Sequence, residues 1–117
     1  MHYTCITNMS VKPGHMVEAH MAEALRKVEM DLLPLCRDLP GFVALTVAQT
    51  GAASATTFSL WQTNEQAEKC RRAHENWMTS GAYREIASIH SHVGAARFIA
   101  FTGDLKVYAS STLVASR

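Results

Sequence analysis

From Tyr3 to Val11 the chain alternates, with Tyr3, Cys5, Thr7, Met9 and Val11 on one side and Thr4, Ile6, Asn8 and Ser10 on the other. A period of two residues marks a strand, and Lys12-Pro13-Gly14 ends it with turn chemistry. The period then changes. Val17, Met21, Ala24, Leu25, Val28 and Leu32 recur with helical spacing as one apolar stripe, while Glu18, Glu23, Arg26, Lys27 and Glu29 lie off it. This predicts a helix from about His15 that ends or kinks at Pro34, a residue without the N–H a helix interior needs. Phe42 to Thr50 and Ala55 to Gln62 read as strands, and the short spacer Gly51-Ala52-Ala53-Ser54 makes them a hairpin. Thr63 is a suitable N-cap for a second helix running to about Met78. Ser80-Gly81 breaks the pattern; a further helical piece is expected over Ala82 to His90 and a last strand over Ala96 to Phe101.

The element order is β-α-β-β-α-β, an α+β, ferredoxin-like arrangement. One domain is expected over residues 1–109, with 110–117 as a C-terminal tail. Two helices cover only one face of a four-stranded antiparallel sheet. The other face also carries apolar residues, and a second copy of the sheet is the simplest cover, so a homodimer is expected.

Composition narrows the classes. The chain has 117 residues and a formal net charge of +1, with 48% hydrophobic and 18% charged residues, as in an ordinary globular domain. Its one dense basic cluster, Lys69, Arg71 and Arg72, is interleaved with Glu65, Glu68 and Glu75, so no nucleic-acid partner is expected. No apolar run approaches a membrane span and no secretory leader is visible, which predicts no membrane association. Cys5, Cys36 and Cys70 are odd in number and widely spaced, which fits reduced thiols and a cytoplasmic protein.

The familiar catalytic signatures are missing: no dinucleotide fingerprint, P-loop or nucleophile elbow occurs. His74-Glu75-Asn76-Trp77-Met78 begins like a zinc-protease helix but has Met78 where the second histidine belongs. His90-Ser91-His92 has no accompanying carboxylate, and no metal site is expected. On the second helix Ala67, Cys70, His74, Trp77 and Met78 share one face. His74 is then either a core histidine bonded to a backbone carbonyl or a pocket histidine usable as a base near neutral pH. Cys70 stands beside two cations that favour a thiolate, or is a small core residue. Phe58 and Trp61 fall on opposite faces of their strand, and Asn8 places an amide in mid-strand, where burial would require a partner.

Leu39-Pro40-Gly41-Phe42, the strand end Phe58-Ser59-Leu60-Trp61 and the helix start Asn64-Glu65-Gln66-Ala67, with the Pro13-Gly14 turn, resemble the antibiotic biosynthesis monooxygenase family over about residues 3–101. The resemblance implies a dimeric α+β barrel of two ferredoxin-like sheets, with a ligand held between helices and sheet. It further implies cofactor-independent oxygenation, in which an ionised polycyclic phenol gives an electron to oxygen. That branch's tryptophan corresponds to Trp61, while Thr57 stands where it has an asparagine and Ala67 or Glu68 where it has a tyrosine. A second branch degrades haem; Trp77, Ser80 and Tyr83 resemble its helix motif and Asn8 lies near its asparagine. Ala87 occupies the place of its histidine, three residues before His90.

The reading is therefore a monooxygenase, without a cofactor, acting on a small aromatic or polycyclic ring. His74, Asn8 and Trp61 are its candidate catalytic residues, and Trp77, Tyr83, Phe58 and Cys70 its candidate substrate-binding residues. Haem as ligand or substrate, and a non-catalytic dimer that binds a small molecule, stand as alternatives.

Overall fold

The computed structural model describes residues 1–79, 84–98, 106–108 and 113–115. Strand β1 (Tyr3–Val11) leads through the Pro13-Gly14 turn into helix α1 (Val17–Lys27). A π turn (Val28–Leu32) and the short helix α2 (Leu33–Arg37) follow without a break in direction. Pro34 thus does not stop the helix. It sits in the first turn of α2, where its missing N–H costs least, and the wide turn before it absorbs the irregularity.

Strands β2 (Phe42–Gln49) and β3 (Ser54–Trp61) form the expected hairpin, and α3 (Asn64–Thr79) follows. Thr63 and Gln66 cap α3 reciprocally: the Gln66 N–H donates to Thr63 Oγ1, and the Thr63 N–H donates to Gln66 Oε1. Gly41 has a φ of 83°, and a Cβ there would lie 1.7 Å from Gln66 Oε1. The Pro40-Gly41 motif therefore lets the entry to β2 pass close over the Gln66 side chain at the start of α3, in a left-handed backbone conformation that favours glycine.

The fourth strand differs from expectation. β4 covers Ile86–Ala95, so the helical piece expected over Ala82 to His90 is a strand from Ile86 onward, and the strand expected to start at Ala96 starts ten residues earlier. The run Ile86-Ala87-Ser88-Ile89-His90 carries too few apolar residues to declare a period alone, and its pairing with β1 decides the conformation. Ala96 to Phe98 lie outside any strand, and the rest of the expected strand lies outside the described residues. Beyond it, β5 (Lys106–Tyr108) pairs with β6 (Leu113–Ala115), so part of the segment read as a tail is paired.

The four main strands are antiparallel in the order β2-β3-β1-β4, and the fold is α+β and ferredoxin-like. Cys5, Thr7, Met9 and Val11 of β1 face the helices with Ala55, Thr57, Ser59 and Trp61 of β3, and all are buried. Met21, Ala24, Val28, Leu32 and Cys36 from the first helical segment, with Ala67, Cys70 and Trp77 from α3, complete this core. Among the described residues no helix lies on the opposite sheet face. Phe58, 45% exposed, stands there beside Ile6, with Asn8, His90 and His92 at neighbouring register positions. Among the described residues no helix is long and apolar enough to cross a membrane.

Candidate functional site

The two helical segments meet the sheet differently. α3 presents Ala67, Cys70, His74 and Trp77 at helical spacing, and every one is buried. Trp61 closes β3 beneath them, fully buried, with its ring edge-on to Phe42 at a centroid distance of 5.5 Å. Its indole N–H donates to Ser59 Oγ at 2.8 Å, and Ser59 Oγ in turn reaches the Cys5 carbonyl at 3.3 Å. Ser59 Oγ also lies 3.5 Å from Cys70 Sγ, and Cys70 Sγ lies 3.8 Å from Cys36 Sγ. Most of the polar groups in this interior pair with one another or with the backbone, as those of a packed core with a few hydroxyls and thiols must.

His74 illustrates the point. Its Nδ1 is 2.9 Å from the Cys70 carbonyl oxygen, which only accepts, so Nδ1 carries the proton. Nε2 is then a bare lone pair, buried and without a hydrogen-bond partner among the described residues. Burial pushes the imidazole pKa below its ordinary value, with the carbonyl bond opposing, so the ring is held neutral. Of the two readings of Cys70 the core residue holds: its thiol is pushed up to about 12 by its contact with Cys36 and by burial. Arg71 turns outward to Glu68 and Glu75. Cys5 is pushed up as well, by its contact with Cys70 and by burial. These thiols are inert nucleophiles.

The remaining predicted residues lie elsewhere. Asn8 and Phe58 are on the helix-free face, with the sheet between them and His74. Asn8 Oδ1 accepts from Thr56 Oγ1 at 2.9 Å, which supplies the partner a mid-strand amide needs. Trp77 is buried under α3, and Tyr83 lies outside the described residues. His90 is on β4, exposed on the helix-free face, and not on a helix like the haem branch's histidine. Within one chain, then, Trp61, Cys70, His74 and Trp77 come together in the packed core, while Asn8 and Phe58 do not join them.

Under α1 the interior opens. A cavity of about 430 Å³ lies between the first helical segment and edge strand β2. Ala22, Leu25, Val28 and Leu33 form its helical wall, and Leu45 and Val47 its sheet wall. Arg26, Glu29 and Gln49 bring polar groups to it. Leu45, Val47 and Gln49 alternate on β2 opposite Ser59, Thr57 and Ala55, which puts all three on the helix side of the sheet. Arg26 is paired with Glu23 through its Nε at 3.1 Å, and this bond lowers the Glu23 pKa and raises that of Arg26. A mostly apolar concavity of this size with a few polar groups is the usual form of a small-molecule site. None of its lining residues was singled out from the sequence as a site residue. The available signal was the alternation Leu45-Thr46-Val47-Ala48-Gln49, an apolar face ending in an amide, opposite a stripe containing Leu25 and Val28.

No protein-family model matches the sequence, and no curated protein matches it as a relative. Solved structures do share its fold. A monooxygenase from Streptomyces coelicolor, in complex with nanaomycin D, is 11% identical over 86% of this chain and 91% of that one, with a TM-score of 0.61. A mutant of SnoaB, a cofactor-independent oxygenase from Streptomyces nogalater, is 14% identical over 84% of this chain and 95% of that one, with a TM-score of 0.58. A dimeric ferredoxin-like protein from an uncultured marine organism is 10% identical over 87% of this chain and all of that one, with a TM-score of 0.64. The likeness read from the sequence thus extends to the fold.

Proposed function

We propose that this chain is a homodimeric monooxygenase, working without a cofactor, whose substrate is a small planar aromatic or polycyclic compound bound in the cavity between α1, the π turn and β2. The observation that carries the reading is the cavity itself. Its volume of about 430 Å³ suits a fused-ring molecule, and its walls are aliphatic, with polar groups only at Arg26, Glu29 and Gln49. Oxygenases of the same fold support the reaction class. The dimeric neighbour and the uncovered apolar face around Phe58 and Ile6 support the homodimer.

The chemistry asked of the protein is modest. A phenolic substrate must lose a proton to become electron-rich enough to reduce oxygen by one electron. The substrate radical and superoxide then combine at carbon, and loss of water from the hydroperoxide leaves a carbonyl. In net terms, a ring CH₂ and O₂ become C=O and H₂O. Glu29 is the carboxylate placed to accept the proton. Arg26 and Gln49 are the donors placed to hold the resulting oxyanion, and the aliphatic walls keep water from quenching it. Trp61 and His74 then act as the floor that fixes β3 and α3 rather than as reactants.

Val47→Trp tests the site, because an indole at this 40% exposed position fills the cavity from the sheet side without disturbing the core. Oxygen uptake with a hydroxylated anthrone should fall by about a hundredfold or more, with unfolding unchanged. Uptake that persists at the wild-type rate would move the site elsewhere.

A further inference from the structure

Three groups that the oxygenase reading does not use converge in the core. Cys5 comes from β1, and Cys70 and His74 come from one face of α3, four residues apart. One ligand atom from each lies within 4.8 Å of the other two, and all three residues are fully or almost fully buried. This spacing is at most a small contraction away from a metal coordination shell. A tetrahedral ion bonded at about 2.3 Å to sulfur and about 2.0 Å to nitrogen places two sulfurs about 3.8 Å apart, and sulfur about 3.5 Å from nitrogen. Cys70 Sγ is 3.8 Å from Cys36 Sγ and 3.5 Å from His74 Nδ1, a nitrogen that ligates only once it releases its proton and its bond to the Cys70 carbonyl.

We propose that Cys5, Cys70 and His74 form a buried binding site for a zinc ion, with Cys36, whose Sγ is 3.8 Å from that of Cys70, moving in as the fourth donor. Two independent features favour this ion over a packed set of thiols alone. The first is the imidazole. Nε2 of His74 is a buried lone pair with no partner among the described residues, so the ring already sits in the neutral form that ligates metals. An orphaned polar atom in a core otherwise so well satisfied is a cost that a metal bond removes, directly or by exchange of the two ring nitrogens. The second is charge. Two thiolates, from Cys5 and Cys70, cancel a divalent ion, leaving a neutral unit when Cys36 binds as the thiol. A low-dielectric interior tolerates only such balance. Soft sulfur donors with tetrahedral edges select zinc over magnesium or calcium. With all ligands buried the site has no open position for substrate, so its role is to clamp α3 and α2 to β1, independently of the aromatic cavity.

The test uses reduced protein freed of metal by a chelator and titrated with cobalt(II), then zinc(II). One cobalt per chain should bind, with tetrahedral d–d bands and thiolate-to-cobalt charge transfer that zinc abolishes by displacement. Zinc should also raise the unfolding midpoint. Cys70→Ala should weaken zinc binding at least a hundredfold; if that variant does not fold without metal, Cys5→Ala serves in its place. His90→Ala should change nothing. The proposal is overturned if reduced wild-type protein shows no charge-transfer band. It is equally overturned if binding survives the cysteine substitution and disappears in His90→Ala, since the metal would then sit on the exposed face.

Discussion

Under α3, Trp61, Ser59, Cys70 and His74 are buried together and joined in a chain of polar contacts; under α1 and the π turn, Leu25, Val28 and Leu33 stand off from Leu45 and Val47 and leave a cavity. The same sheet face thus has a packed half and an open half. Each half lies towards one edge of the sheet: α3 packs over β3, β1 and the edge strand β4, whereas the first helical segment reaches towards the other edge strand, β2. The π turn at Val28–Leu32 then widens the helix where it passes β2. Packing and open space are divided between the halves, which is how a small domain can keep a cavity without losing its core.

The division is exposed most sharply by paired substitutions. Trp61→Ala removes a fully buried indole together with its bond to Ser59 Oγ, and it should cost about 3–5 kcal/mol in denaturant unfolding. Val47→Ala, on the open side, should cost no more than about 1 kcal/mol. Similar losses at the two sites would erase the contrast. A smaller effect than that of Trp61 is expected from His74→Gln in metal-free protein. Losing the Nδ1 bond to the Cys70 carbonyl should destabilise by about 1–2 kcal/mol while leaving affinity for a planar phenol unchanged. A tenfold loss of that affinity with an intact fold would instead return His74 to the ligand site.

The first strand and helix, the hairpin, the Thr63 cap and the two-sided alternation of β1 were all legible in the sequence, because each rests on local periodicity or on one residue's own geometry. β4 was not, because Ile86–Ala95 is strongly apolar only at scattered positions and becomes a strand by pairing with β1. The site divided along the same line. The inward face of α3, with His74 among apolar neighbours, followed from helical spacing. Whether that face lines a pocket or fills a core depends on what packs against it, and Ser59, Cys5 and Cys36 come from three other elements. The cavity was hidden for the same reason. It is the gap between a helix and a strand separated by a loop, and the π turn that opens it leaves no mark in the apolar stripe.

The central claim is that ligand enters the open half and not the packed one. Methyl and imidazole NMR resonances, followed while a hydroxylated anthrone is titrated in under exclusion of oxygen, test it directly. The account predicts saturable shifts at Leu25, Val28, Leu45 and Val47, with the His74 ring unmoved. Shifts centred on His74 and Trp61, with the Leu45 and Val47 methyls silent, would contradict it.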